Sequence, residues 1–226
     1  VVPDAVISDP PYGERTHSGH NRVLTKSRDL KRSEIDYASW GAEDVAGFVS
    51  LCARAKGWAV ALTSHDLWRE YDRQLEEAGR YVFHPIPCVI RGMTVRLVGD
   101  GPSSWAVWAC VARPRTREMQ SWGPLPGAYY GKRGEISINS REHFAGSKPL
   151  WLMQDLVYDY SRPGDLVCDP CAGTGTTLLA AAIEGRRAIG SEVNRDTFER
   201  ACARLAQPYT RSMRTPRKKA KPEEVE

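Results

Sequence analysis

The chain has 226 residues, of which 41% are hydrophobic and 27% charged, and carries a net charge of +4. That length suits one α/β domain with a full core and is short for two. No apolar run approaches the roughly 20 residues of a membrane helix and no signal peptide is read at the start, so a membrane-spanning or secreted class is not expected.

Val1 lies almost on the first strand, so a longer natural chain is expected to precede it. Asp4-Ala-Val-Ile-Ser8 reads as a short buried strand, apolar and β-branched at its centre. Asp9-Pro10-Pro11-Tyr12-Gly13 stops it abruptly. The prolines remove two backbone donors and fix φ, which leaves rigid carbonyls that a ladder cannot fully use. Taken alone this is equally a Pro-Gly turn with an aromatic cap. Beside it stand Arg15, Arg22, Lys26, Arg28, Lys31 and Arg32 against only Glu14 and Asp29. A local excess of cations bears on partners more than the total charge does.

Helical spacing comes next in "EDVAGFVSLCARAKG", with Gly57 as its expected stop, then a buried strand in "WAVALTS" and a second amphipathic helix, "HDLWREYDRQLEEAG", closing on Gly79. "YVFHPIPCVI" and "SWAVWACVAR" read as two more strands. From Pro114 to Ser147 the pattern fails, and the stretch is read as a long irregular insertion of the kind that usually carries function. "KPLWLMQDLVYDYSRPGD" is a helix and turn, and "LVCDPCAGTGTTLLAAAIEGRRAIGSEV" is strand, glycine loop, helix and strand, a right-handed βαβ unit. "NRDTFERACARLA" is a last helix before Pro208, and Arg211, Arg214, Arg217, Lys218, Lys219 and Lys221 make a basic tail. Alternating helices and strands predict a Rossmann-like α/β fold, a doubly wound, mostly parallel sheet with helices on both faces. One domain is expected, divided into residues 1–112, an insertion at 113–147, a second half at 148–207 and a tail at 208–226.

The six cysteines, Cys52, Cys88, Cys110, Cys168, Cys171 and Cys202, are scattered through core elements, which points to a reducing setting such as the cytoplasm. Cys168 and Cys171 have CxxC spacing without a second ligand pair, so buried thiols are expected and no metal site.

Ala172-Gly173-Thr174-Gly175 opening a helix brings bare amides and a helix N-terminus to one crevice. A nucleoside-triphosphate loop would need a lysine where Thr176 and Thr177 stand, and a dinucleotide fingerprint would want a glycine at Leu178. S-adenosylmethionine remains, since its compact amino-acid end needs close backbone approach without a pyrophosphate cradle. Asp169 suits its ammonium or an ordered water, and Glu192, at the next strand end, suits its ribose hydroxyls.

"SDPPYG" near the front and "SKP…DLVCDPCAGTGTTLLAAAIEGRRAIGSEVN" near the end resemble the circularly permuted β group of DNA amino-methyltransferases, in which the catalytic motif precedes the cofactor motif. The resemblance implies catalysis by Asp9, Pro10, Pro11 and Tyr12 on the amino group of a flipped-out base, adenine N6 before cytosine N4. It implies S-adenosylmethionine held by Lys148, Pro149, Asp169, Pro170, Ala172, Gly173, Thr174, Gly175, Glu192 and Asn194. DNA would be the partner, met by Arg15, Arg22, Lys26, Arg28, Lys31 and Arg32 and, from the insertion, by Arg115, Arg117, Lys132 and Arg133. A homodimer and a catalytically silent, DNA-presenting subunit both stay open.

Overall fold

A computed structural model describes residues 1–16, 37–92, 104–120, 122–132 and 147–214. Its elements in chain order are β1 (Ala5–Ser8), α1 (Ala42–Arg54), β2 (Ala59–Thr63), α2 (Trp68–Glu77), β3 (Tyr81–Val82), β4 (Ile86–Arg91), β5 (Ala106–Arg113), α3 (Arg117–Gln120), β6 (Tyr129–Lys132), α4 (Leu150–Tyr160), β7 (Leu166–Asp169), α5 (Thr176–Ile183), β8 (Arg187–Gly190) and α6 (Arg195–Leu205).

The strands form one sheet in the order β6-β4-β5-β2-β1-β7-β8, with β3 beside β5. β1 pairs parallel with β2 and β7, and β7 pairs parallel with β8, while β5 runs antiparallel to its neighbours. The apolar residues of β1 and β2 alternate between two cores. Ile7, Val60 and Leu62 pack with Leu152, Leu156 and Ile183 of α4 and α5 on one face. Val6, Ala59 and Ala61 pack with Val45, Phe48 and Leu75 of α1 and α2 on the other. Both faces are covered, as the near-continuous apolar strands require. From β1 the chain winds towards β2, and from β7 it winds towards β8. The reversal therefore falls between β1 and β7, where ligands collect beyond the strand ends.

Local chemistry explains most boundaries. α2 ends on Ala78 and Gly79, the latter at φ +80, a left-handed stop that glycine adopts without steric cost. Gly57 does a different job from the expected one. α1 ends in extended backbone at Ala55, and a Cβ on Gly57 would lie 2.7 Å from the Asp4 carbonyl oxygen, so close packing against the start of β1 requires the glycine.

Two further expectations are corrected. "YVFHPIPCVI" is two strands, β3 and β4, because the stretch at His84-Pro85 interrupts the pairing that each makes with β5. The segment after Pro114 is not wholly irregular, since it contains α3 and the edge strand β6, parallel to β4. β6 is only Tyr-Tyr-Gly-Lys, which disguises its period-two burial. Gly131 lets it approach α4, where a Cβ would meet the Trp151 ring at 2.6 Å, and the Tyr129 hydroxyl donates to the Asp159 carboxylate at 2.8 Å.

Candidate active site

β1 and β7 lie side by side, so Asp9 and Asp169 end neighbouring strands. The Ser8 hydroxyl donates to the Asp169 carboxylate at 2.6 Å and ties the two ends together. Beyond them, the Pro-Pro-Tyr turn and the glycine loop share one rim of the sheet.

On the β1 side, Pro10 and Gly13 are buried and Tyr12 is half-buried. The Tyr12 hydroxyl donates to Asp9 Oδ1 at 3.0 Å, and the Lys148 ammonium donates to Asp9 Oδ2 at 2.7 Å while standing 4.7 Å from the Tyr12 ring centroid. Burial, reinforced by the Asp9 charge, pushes the Tyr12 phenol well above its ordinary range, so it stays a neutral donor. The turn is anchored from outside: Trp40 N–H donates to the Tyr12 carbonyl at 3.0 Å, and Gly13 N–H donates to Ser64 Oγ at 3.2 Å. A Cβ on Gly13 would collide with the Asp66 carboxylate. The two hydrogen bonds from Trp40 and to Ser64 hold the turn in place.

The β7 side offers close approach to bare backbone. Gly173 sits at φ +51 with open space where a Cβ would project, and Gly175 at φ +77 begins α5. Gly173 N–H donates to Glu192 Oε2 at 2.9 Å, and Asn194 N–H donates to Glu192 Oε1 at 2.8 Å. A carboxylate accepts at about four lone-pair positions, so Glu192 braces the loop and retains capacity for hydroxyl donors. Gly190 is required beneath, since a Cβ there would lie 3.0 Å from Ala172 Cβ and from the Asp169 carbonyl oxygen. A bare, positive-φ cradle with a carboxylate at its rim fits the amino-acid and ribose parts of S-adenosylmethionine.

Three side chains on this side do other work than sequence reasoning assigned. Asp169 is 1% exposed, and its carboxylate accepts from Ser8 and from the Cys171 amide at 3.1 Å, so it is turned into the protein and away from any ammonium. Burial pushes its carboxyl up to about 6. Asn194 uses its side-chain oxygen to cap α6, accepting from Thr197 N–H at 3.0 Å. Lys148 points at Asp9, on the acceptor side of the crevice. Pro149 caps α4, and Pro170 is half-buried beside Ala172.

Sequence reasoning missed Ser8, Ser64, Ser147 and Arg204. Ser147 Oγ lies 2.7 Å from Thr174 Oγ1, and Arg204 of α6 donates to the Thr174 carbonyl at 3.2 Å and to Thr176 Oγ1 at 2.9 Å. The only signal for these was position, next to a motif or one helical turn from a cap. Cys171, within the loop, is half-buried, and burial pushes its thiol up to about 12, which favours the neutral thiol.

The proposed DNA contacts divide. Arg15 is exposed just after the Pro-Pro-Tyr turn. Lys132 ends β6 opposite Arg91 and, by the strand directions, lies at the same end of the sheet as Asp9. Arg115 and Arg117 come after the far end of β5, at the opposite end, where Arg115 lies 5.4 Å from the Tyr81 ring centroid and donates to the Arg80 carbonyl. They are not brought near the Pro-Pro-Tyr turn. Arg22, Lys26, Arg28, Lys31, Arg32 and Arg133 lie outside the described residues.

A family model for N6 and N4 DNA methylases matches residues 64–203, more than half of the chain. Among curated relatives, the DNA adenine methyltransferase YhdJ of Escherichia coli is 35% identical over 68 residues, 30% of this chain and 23% of YhdJ. Type II methyltransferase M.MthZI of Methanothermobacter thermautotrophicus is 48% identical over 50 residues, 22% of this chain and 14% of that protein. The matches thus span well under two thirds of these relatives. The fold is shared with M1.HpyAVI in its SAM complex (TM-score 0.63, 24% identity, 91% of this chain and 90% of that one). It is shared equally with the cytosine-N4-specific PvuII DNA methyltransferase (TM-score 0.63, 15% identity, 91% and 80%).

Proposed function

The chain belongs to the N6/N4 DNA methylase family, and from that premise we propose that it transfers a methyl group from S-adenosylmethionine to the exocyclic amine of a flipped-out DNA base, adenine N6 before cytosine N4. The observation that carries this is the pairing of an acceptor-bearing Asp-Pro-Pro-Tyr turn with a bare, positive-φ glycine loop at adjacent strand ends, joined by Ser8 and Asp169. Asp at the head of the Pro-Pro-Tyr motif favours adenine, as does the likeness to YhdJ.

When bound, S-adenosylmethionine supplies an electrophilic methyl group. Gly173 and the start of α5 would receive its amino-acid end, and Glu192 would take its ribose hydroxyls. The target amine is a poor nucleophile because its lone pair is delocalised into the ring. Asp9 and the Pro10 carbonyl each accept one of its N–H groups, which favours a pyramidal nitrogen with its lone pair turned to the methyl. Because the turn is held by Trp40 and Ser64, these acceptors need little reorganisation as charge develops. Asp9 is then placed to take the proton the methylated nitrogen sheds. Tyr12 offers a ring for the base to stack on, which returns about 1–3 kcal/mol of the few spent on flipping. The free thiols are consistent with work in the cytoplasm.

The test is transfer of label from S-adenosylmethionine to unmethylated DNA, followed by digestion and chromatography of the nucleosides. Labelled N6-methyladenine is expected. Labelled N4-methylcytosine would shift the substrate, and absence of labelled nucleoside would leave the silent-subunit reading.

A further inference from the structure

On the Asp9 side of the crevice stands a cation, Lys148, its side chain only 12% exposed. Its ammonium makes two contacts at once, a 2.7 Å hydrogen bond to Asp9 Oδ2 and a station 4.7 Å from the centroid of the Tyr12 ring. Those are the two things an incoming base requires: an acceptor for its amine and a ring face for stacking. A carboxylate has lone pairs to spare for a second donor, but one ring face cannot hold an ammonium and a stacked base together. Nor is the placement that of a wandering surface lysine. Ser147, its neighbour, is tied to Thr174 of the glycine loop at 2.7 Å, and Pro149, on its other side, starts α4.

We propose that Lys148 is an internal stand-in for the target amine, bound to Asp9 and standing over the Tyr12 ring in the free protein, so that a flipped base must displace it to stack on Tyr12 beside Asp9. The inference rests on the methyltransferase reading of the same site and adds a gate to it. It makes Lys148 a positioning residue that acts on entry of the base. The ammonium satisfies a carboxylate that would otherwise stand half-buried without a cation. It also charges every base the same displacement, so only one held by further DNA contacts completes entry. Because Ser147 and Lys148 are consecutive, the gate is mechanically joined to the cofactor loop.

The arithmetic is that of a site competent only part of the time. If Lys148 holds the site about nine-tenths of the time, the apparent KM for DNA is raised about tenfold. Lys148→Met keeps an unbranched side chain of similar length but removes the charge and donors that hold it at Asp9 and over the ring, while Lys148→Arg keeps a cation. With bulk unmethylated DNA, Lys148→Met should lower the KM for DNA about tenfold and Lys148→Arg should stay near wild type. A methionine variant with an unchanged or raised KM overturns the gate. A second readout needs no turnover. Acylation of Lys148 by an amine-directed ester, followed by peptide mass spectrometry, should be slow in the wild type and several-fold faster in Asp9→Ala. Equal rates overturn the occupancy. Should the wild type transfer no methyl group, the proposed function falls, and the labelling contrast alone decides the place of Lys148.

Discussion

The two ends of the sheet are finished in opposite ways. At the end bearing Asp9 the chain leaves polar groups facing one another: the Asp9 and Glu192 carboxylates, the Gly173 amide, the Ser147 and Thr174 hydroxyls. At the other end it closes the core with rings. Trp58, just ahead of β2, stands 5.6 Å from Phe83, 5.8 Å from Trp122 and 5.2 Å from Tyr160 between ring centroids. Arg162 lies 3.5 Å from the Trp122 centroid, and Arg113 lies 5.6 Å from that of Phe83. Trp58, Phe83, Trp122, Tyr160 and Arg113 border a cavity of about 340 Å³ with Leu125. The same strands run through both ends, so the difference lies in the residues that cap each strand. Glycine and proline turns expose backbone at one end, and aromatic side chains cover it at the other. Chemistry belongs to the first end and stability to the second, and that division is open to experiment.

The largest effect is expected from Asp9→Ala. Removing the acceptor should cut methyl transfer by about 10³-fold or more, roughly 4 kcal/mol of transition-state stabilisation, while calorimetry finds cofactor affinity within a few-fold of wild type. Turnover close to wild type would return the turn to a structural role.

Trp58→Ala should do the reverse. The ring is 3% exposed, and its Nε1 has no hydrogen-bond partner among the described residues, so the change removes packing and no hydrogen bond. A loss of about 3–5 kcal/mol in urea unfolding is expected, with the turnover of the remaining folded protein little changed. A large fall in turnover at full folding would join the two ends and dissolve the comparison.

Residues whose role is set by their own backbone were legible without coordinates. The Asp-Pro-Pro-Tyr turn, the glycine loop and the buried strand β1 all arise from local pattern. Side chains whose role depends on a distant partner were not. Asp169 looks like a cofactor ligand until Ser8, on another strand, claims it, and Lys148 looks like a cofactor neighbour until it turns to Asp9. Arg115 and Arg117 failed for a related reason: they are near Lys132 in the chain, but the antiparallel run of β5 leaves them at the far end. β6 was hidden by its own brevity.

Asp169 supplies a pH test of how deeply the polar end is buried. Its carboxyl titrates near about 6 in the fold and near about 3.9 in an unfolded chain. Between those values the folded state keeps a proton that the unfolded state has lost. This group's contribution therefore makes stability fall as pH rises from about 4 to about 6, by about 2–3 kcal/mol in all. Asp169→Asn keeps an acceptor for Ser8 and Cys171 without the charge, so urea melts across that range should lose this slope. An asparagine variant with the wild-type slope would mean that the carboxylate is better solvated than its burial implies.

Glu192→Ala should weaken S-adenosylmethionine binding by about 1.5–3 kcal/mol, the range for hydrogen bonds to a charged group. The loss would be read by calorimetry, with unfolding little affected because the residue is only half-buried. Unchanged affinity would move the ribose elsewhere and reduce Glu192 to a brace for Gly173 and Asn194.

The smallest effect concerns DNA, and it uses two exposed cations from one stretch of chain. Lys132 ends β6 at the catalytic end, four strands from β1, which at the usual strand spacing is about 19 Å. A duplex covers that distance in about six base pairs, so DNA centred on Asp9 can lay a phosphate against Lys132. Arg117 is as exposed but sits at the ring-closed end. Each lost phosphate contact flattens the plot of log affinity against log salt by about 0.9. Lys132→Ala should show that change on every sequence alike, and Arg117→Ala should show none. If the two variants shifted the slope equally, DNA would be bound without regard to which end carries the crevice, and the contrast between the ends would hold for stability alone.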